Sequence, residues 1–458
     1  YTYDTQGQIT KVDYGNSKFI NYIYDSVGRR TSISASNGFA QSYTYDALGR
    51  VSAVHGGNQG SQFLVASYIY DNYGNLQRVD HENGSYSEYT FNSDFLLTGI
   101  THRKQDGSLI SAITYTLNPQ GLVISKTQTD GNSPAQITTY AYDSKNQLVS
   151  VTLPGNVVIR YTYDANGNRI RSESSNTGTT NDSINYLNQL IQSDNATYQY
   201  DANGSLVSKT DSNGVTSYQY DYKNSLVKVI NGSNVWEYLY DPAGNRCAII
   251  FNGQRTDLFV DPLGLDGLGN VISEITGANT TNFYQGMLLE SMERNGNRFA
   301  YSYDITGNTM FLTDSAQNVV NSYNYLPFGE IAYSNESIQN PYRFVGSTGV
   351  RDDGNGLHFM RARYYDSAKG RFIQVDPSGN SGSPTNLYKY ATNNPISAID
   401  PSGLCPECPV MQPITPAPIQ PLLTNINAIG DGLTIADFLH DKFVVFMGSR
   451  QIFDSNFL

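Results

Sequence analysis

A Tyr-x-Tyr-Asp phrase recurs along this chain, and no other feature restricts the possible folds as much. It stands at Tyr1–Asp4, Tyr22–Asp25, Tyr43–Asp46 and Tyr68–Asp71. It returns at Tyr140–Asp143, Tyr161–Asp164, Tyr198–Asp201, Tyr218–Asp221, Tyr238–Asp241 and Tyr301–Asp304. Most steps are 20, 21 or 25 residues. Self-similarity at such a period means one supersecondary unit stacked many times, with function placed where the pattern stops.

The unit reads as strand, turn, strand. Tyr-x-Tyr has period two, so both rings share one face of a strand. The aspartate can bond its own backbone two residues on, and the glycine of Asp46-Ala-Leu-Gly49 or Asp71-Asn-Tyr-Gly74 supplies the positive φ of a tight turn. Asn-Gly pairs at Asn37-Gly38, Asn83-Gly84, Asn213-Gly214, Asn231-Gly232 and Asn252-Gly253 mark the far ends as hairpins. The tyrosines are read as structural, a ring for the sheet and a hydroxyl for a rim contact. The competing reading is an aromatic ligand-binding face, which a single tryptophan, Trp236, argues against.

Composition bounds the partners. The 458 residues carry 36 tyrosines, only 15% charged residues and a net charge of -12, which weighs against nucleic acid as a partner of the array. Three cysteines, Cys247, Cys405 and Cys408, make no disulfide framework. Cys405-Pro-Glu-Cys408 lacks the second pair or histidines of a zinc site, so no metal is predicted. No Walker loop, dinucleotide fingerprint or GxSxG is present, and no cofactor is predicted. No apolar run reaches 18 residues, so no membrane helix is predicted. Residue 1 falls inside a repeat. The chain is therefore read as part of a longer protein, and a missing signal peptide says nothing about export.

Between Asp304 and Leu404 the repeat gives way to denser text. Gly356-Leu-His358-Phe-Met-Arg361-Ala-Arg363-Tyr-Tyr-Asp366 is followed by Gly370-Arg371-Phe-Ile-Gln-Val-Asp376-Pro-Ser-Gly. Then come Asn386-Leu-Tyr-Lys-Tyr-Ala-Thr-Asn393-Asn-Pro and Asp400-Pro-Ser-Gly-Leu404. Asp376 and Asp400 share one Asp-Pro-Ser-Gly setting. A hydrolytic carboxylate pair works when one member is ionised and the other protonated, and proximity drives that split. Asp-Pro-x-Gly is equally a plain turn sequence, so spacing alone leaves both readings open.

These motifs resemble the Rhs-associated core of the Rhs/YD-repeat family, which includes Rhs polymorphic toxins and the C subunits of insecticidal Tc toxin complexes. Teneurins carry a related shell. The resemblance covers about residues 1–404. It implies an all-β chain in which a YD-repeat β-hairpin array forms a spiral hollow shell capped by the core. The implied divisions are 1–334 for the shell, 335–404 for the core and 405–458 for a linker and the start of a variable effector region. It also implies an intramolecular aspartic autoprotease cutting between Leu404 and Cys405. Asp376 and Asp400 would be catalytic, and Arg363 is the arginine its motif selects, with Arg361 and Arg371 as fallbacks. The implied partners are the chain's own C-terminal tail held inside the shell and the components of a secretion system or toxin complex. Secretion or cell-surface display, by bacterial export, follows from the same resemblance. A teneurin-like adhesion module with a non-cleaving cap is the alternative.

Three features are read as structural. Asp261-Pro-Leu-Gly-Leu265 repeats the DPxGL pattern in register with the Tyr-Asp phrases and is taken as wall. His358 is taken as a packing residue. The tail opens with six prolines, Pro406 to Pro421, which predict an extended spacer, and Thr434-Ile-Ala-Asp437 predicts a short amphipathic helix.

Overall fold

The computed structural model describes residues 1–15, 17–58, 60–379 and 386–404, with the backbone of the strand Cys408–Pro409. One antiparallel sheet of 32 strands runs from Thr2–Tyr3 to Ile331–Glu336. Every strand pairs with its chain neighbour, so the ribbon is a continuous meander. Among the described residues the only helical elements are 3-10 turns, such as Pro154–Asn156 and Ala391–Asn393. The predicted spiral of hairpins is the architecture found.

The Tyr-Asp phrase builds the turn as its chemistry requires. In the copy at Asp25 the Oδ1 accepts from the Val27 and Arg29 N–H groups at 3.1 and 2.9 Å. Gly28, at φ 86°, closes the turn onto the Asp25 carbonyl at 3.0 Å. Arg29 Nε donates to Asp25 Oδ2 at 2.7 Å, a place Asn75 Nδ2 takes at Asp71. In most of the phrases the first tyrosine is buried, with Tyr22 at 3% exposure and Tyr238 at 1%, and the residue between the rings faces outward, as at Ile23 and Leu239. The second donates its hydroxyl to a carbonyl one repeat back, Tyr45 to Arg30 at 2.6 Å and Tyr240 to Leu226 at 2.8 Å. Each repeat is thereby tied to the one before it by a bond that runs across the sheet.

The ribbon then closes on itself. Strands of the first hundred residues meet strands about two hundred residues later, and polar side chains mark the seam. Tyr22 donates to Asp261 Oδ1 at 2.9 Å and Arg30 to Asp261 Oδ2 at 2.6 Å, both buried. Gln285 N donates to Gln41 Oε1 at 3.0 Å, and Asn83 Nδ2 to the Asp314 carbonyl at 2.8 Å. An apolar cluster of Ile20, Tyr22, Ile33, Tyr43, Val54, Phe259, Ile272 and Tyr284 fills the space behind them. Asp261, read as part of the wall, joins the early strands to the strand Gln254–Asp261 through these buried bonds.

One seam residue sets a pH dependence. Glu290 is buried beside Tyr68, His81 and Tyr303, where Tyr68 donates to it at 2.7 Å. Burial pushes its carboxyl from the ordinary 4.5 up to about 7, against the pull of the Tyr68 and Leu288 donors. A raised folded pKa contributes stability that is complete below about pH 4.5 and is lost as pH rises toward 7. Glu290→Gln keeps the acceptor and cannot ionise. Its melting temperature is expected to match the parent chain at pH 5 and exceed it at pH 8, by a difference worth roughly 3 kcal/mol. Equal melting temperatures at both pH values would show Glu290 already charged in the fold.

After Glu336 the chain leaves the large sheet and forms a second one. Its four strands are Arg351–Asp352, Leu357–Met360, Arg363–Asp366 and Arg371–Phe372. Phe344, Tyr365, Phe372 and Tyr390 pack ring on ring at its centre, with Tyr365 and Tyr390 centroids 4.3 Å apart. Ile100, Ile113, Tyr115 and Phe311 of the wall complete that cluster. His358 lies in the same cluster, 5.5 Å from Phe344, and burial pulls its pKa down, which fits a packing role.

The core also grips a rim of the wall. Asn393 Nδ2 donates to Gln147 Oε1 at 2.9 Å and to the Gly167 carbonyl at 2.7 Å. Asn386 Nδ2 reaches Asn168 at 2.8 Å, and the Tyr388 hydroxyl reaches the Gly204 carbonyl at 2.7 Å. Gln374 Nε2 donates to the Asn224 carbonyl at 2.7 Å, and Arg371 to the Asn188 carbonyl. These acceptors belong to five consecutive turns along one edge of the array, four of them Tyr-Asp turns and the fifth opened by Asn185. A Cβ on Gly204 would stand 2.5 Å from Val375, so only glycine admits this approach. The Asn386 to Asn393 motif is therefore a docking comb for the turn rim.

Candidate active site

Two segments make the candidate site, and both are held by the core sheet. The strand Arg363–Asp366 begins directly after a reversal in which Arg361 adopts φ 55°. The turn Asp400–Leu404 lies alongside that reversal. Arg361 Nη1 donates to the Pro401 carbonyl at 2.6 Å, Ala362 N to the Ser402 carbonyl at 3.1 Å, and Arg363 Nε to the Gly403 carbonyl. Three successive carbonyls are caught by three successive residues. Gly403, at φ 70°, has no room for a side chain, because a Cβ would meet the Met360 carbonyl oxygen at 2.5 Å.

Arg363 sits between the two aspartates. Its Nη2 lies 2.9 Å from Asp376 Oδ2 and 3.3 Å from Asp400 Oδ2, so the two carboxylates are no further apart than those contacts laid end to end. Arg363 is 2% exposed, Asp400 0% and Asp376 9%. The guanidinium stacks 3.6 Å from the Phe372 ring centre and donates through Nη1 to the Leu387 carbonyl at 2.9 Å. Burial pulls its pKa down, while Asp400 and then Asp376 pull it back.

The two carboxylates are dressed alike. Asp376 Oδ1 accepts the Ser378 N–H at 2.9 Å and the Ser378 hydroxyl. Asp400 Oδ1 accepts the Ser402 hydroxyl at 3.1 Å and the Leu404 N–H at 3.0 Å. In each case the serine of the Asp-Pro-Ser-Gly motif turns back onto its own aspartate, and the Oδ2 is left for Arg363. With both carboxylates ionised, the single guanidinium between them would balance only one of their two charges.

The structure brings Asp376, Asp400, Arg363 and Leu404 together. Cys405 lies outside the described residues, as do the side chain of Cys408 and the predicted helix of the tail. Arg371 is directed to the wall at Asn188 and stacks on Tyr388 at 4.9 Å, away from the aspartates. Arg361 reaches the turn but neither aspartate among its bonded partners. Sequence reasoning missed Ser378, Ser402 and Phe372. The paired Asp-Pro-Ser-Gly text carried the signal for the serines. It also missed a buried bidentate pair, Arg246 with Asp353 at 2.5 and 3.0 Å, which fastens the core to the wall. No group of acidic, histidine or cysteine side chains among the described residues has the arrangement of a metal site.

A model of the teneurin YD-shell matches residues 106–396, and a model of the RHS repeat matches residues 24–61. The tRNA3(Ser)-specific nuclease WapA of Bacillus spizizenii is 30% identical over 278 residues, covering 57% of this chain and 12% of that protein. Toxin subunit YenC2 of Yersinia entomophaga is 32% identical over 109 residues, 23% of this chain and 11% of that protein. The chain thus spans about a tenth of the length of these curated relatives. Among solved structures, TcdB2-TccC3 without its hypervariable C-terminal region superposes with a TM-score of 0.72 at 19% identity, over 88% of this chain and 23% of that one. The TcdB2-TccC3 structure gives 0.70 at 20% identity, over 84% and 22%. The likeness to both is one of fold. With the repeat, the core motifs and a family model matched over more than half its length, the chain belongs to the Rhs/YD-repeat family and has its YD-shell fold.

Proposed function

We propose that this chain is the closing part of a toxin shell that cuts its own backbone after Leu404 and keeps the polypeptide beyond it as cargo. The observation that supports it most is Arg363 held between Asp376 and Asp400, with Asp400 also bound to the Leu404 N–H one residue before the cut. The sequence relatives include a nuclease and toxin subunits, which fits a shell serving different C-terminal activities. Export to the cell surface or medium and assembly with other toxin-complex components belong to the same proposal.

The chemistry is hydrolysis of one amide. The ionised carboxylate takes a proton from water as the oxygen bonds to the Leu404 carbonyl carbon. The protonated carboxyl of the pair gives its proton to the Cys405 nitrogen as the C–N bond breaks. Asp376 and Asp400 share these roles as a coupled pair. Arg363 holds both Oδ2 atoms and the serines hold the Oδ1 side, so the pair is fixed beside the turn that carries Leu404. Anchored carbonyls at Pro401, Ser402 and Gly403 hold the bond still, which is where an intramolecular reaction gains most of its rate. The turnover is single, because the substrate is the chain itself.

Denaturing electrophoresis with N-terminal sequencing tests the proposal. Purified protein is expected to run as two pieces, with a new N-terminus at Cys405, while native chromatography keeps them together and protease spares the smaller piece. A single intact chain would overturn the cleavage. Rapid digestion of the small piece while the repeats resist would overturn encapsulation. The adhesion reading asks for an exposed aromatic surface. Among the described residues the exposed rings are dispersed along the array, with Tyr186 and Tyr222 at turns, Tyr333 in a strand, Tyr73 against Phe95 and Phe251 against the buried Trp236.

A further inference from the structure

We infer that Arg361 is a positioning residue for the cut at Leu404 and that it makes the cut conditional on a closed wall. The inference rests on the cleavage proposed above. One buried guanidinium joins three separate parts of the chain. It donates to the Gly269 carbonyl at 3.0 Å and to Asn270 Oδ1 at 2.8 Å, both in the wall. It also donates to the Thr348 carbonyl, in the segment entering the core, and to Pro401, in the turn that carries the bond to be cut. An arginine fork has five N–H groups in fixed directions, and these four acceptors engage all three of its nitrogens. A lysine has three donors on a single atom and cannot span the same set. The left-handed backbone at Arg361, uncommon for a side chain of this size, is held by these contacts on either side.

The wall loop that Arg361 grips is the stretch containing the second DPxGL. It links the strand Gln254–Asp261 to the strand Asn270–Thr276. At its first residue, Asp261 is clasped by Tyr22 and Arg30 from the early strands, and Arg30 also donates to the Leu263 carbonyl at 3.1 Å. At its last residue, Asn270 donates through Nδ2 to Asp266 at 2.9 Å and accepts from Arg361 at its Oδ1. The fit is close. A Cβ on Gly349 would stand 2.4 Å from Asn270 Oδ1, and one on Gly264 would stand 2.2 Å from the Leu268 carbonyl oxygen. Contacts therefore run without a gap from the early strands through Asp261, the loop, Asn270 and Arg361 to Pro401.

Of the three carbonyl anchors of the turn, those on Ser402 and Gly403 come from the core itself. Only the one on Pro401 comes from a side chain whose other acceptors lie partly in the wall. Until the early strands close on Asp261, Arg361 is a buried cation short of acceptors, and the turn is held by two anchors instead of three. Displacement of a reacting group by about 1 Å costs on the order of 100-fold in rate. The shell would then cut only once its cargo is enclosed.

Pulse-chase synthesis of the full chain follows the cut directly. Arg361→Met is expected to slow it about 100-fold, with Arg361→Lys between that and the parent chain. Because Arg361 acts on geometry and not on the acids, the pH profile of the remaining rate should match that of the parent. Asn270→Ala and Arg30→Met, which leave Arg361 in place and act through the loop, should slow the cut as well. Circular dichroism and protease resistance of the repeats check the fold. If Arg361→Met does not fold, Asn270→Ala decides. A parental rate in Arg361→Met overturns the positioning role, and parental rates in both Asn270→Ala and Arg30→Met overturn the dependence on wall closure. A parent chain that never cuts, or an Asp376→Asn chain that cuts normally, would instead sink the cleavage proposal itself.

Discussion

Asp376→Asn and Asp400→Asn are each expected to leave the chain in one piece while the shell still folds. The amide keeps the shape of the carboxylate and most of its acceptor bonds, so Ser378 and Ser402 retain a partner. What disappears is the proton traffic. An asparagine neither takes a proton from water nor gives one to the leaving nitrogen, and the loss of either role costs about 10²–10⁴-fold. Loss at both aspartates should be no worse than loss at one, because the pair acts as a unit. Intact-mass measurement over days reads the result. An Asp376→Asn chain cut at the parental rate would show that Asp376 is structural, and cleavage would need another partner for Asp400.

The largest effect on stability is expected at the wall clasp. Arg30 is 6% exposed and Asp261 2%, and their contact at 2.6 Å joins strands 231 residues apart. Arg30→Met leaves Asp261 buried with the Tyr22 hydroxyl and its own turn as partners. Removing one member of a buried ion pair costs about 3–5 kcal/mol. The array is long enough to melt in stages. The early repeats should therefore lose protection from hydrogen exchange first, with the core strands unaffected. Replacing both residues with apolar ones should recover much of the loss, since the cost is that of an uncompensated charge. Uniform destabilisation across the whole sheet would show that the clasp is no local seam.

The hairpins were readable in the sequence because their determinants are local. Asp71, Gly74 and Asn75 lie within five residues of one another, and their turn needs nothing from elsewhere. The tyrosine hydroxyls were readable as rim contacts but not by partner. Tyr142 bonds to Val123, a choice made by strand register. The residues that meet where the ribbon closes were not readable. Nothing near Asp261 marks Arg30 as its partner, because their meeting depends on curvature summed over many repeats. The candidate site was legible only through its motifs. Arg363 was chosen over Arg361 and Arg371 on that basis, and the three differ in space in ways their spacing hides. Arg363 lies between the aspartates, Arg361 on the turn and Arg371 against the wall. The Asn386 and Asn393 motif was visible as unusual text, yet its partners are turns more than 200 residues earlier.

A sheet in which each strand pairs only with the next has no long-range threading inside the ribbon. Such a ribbon can be laid down in the order of synthesis, each hairpin resting on a finished one, so the slow search that non-local strands impose is confined to the seam. The same order runs in reverse under load. A pull on one end would part the ribbon one hairpin at a time, in steps of about two strands, up to a clasp such as Arg30 with Asp261. By the same logic an inserted or deleted hairpin leaves all pairings on either side intact and alters only which residues face each other across the seam. Repeat number is then a variable of capacity, and the seam residues are what must be retuned each time it changes.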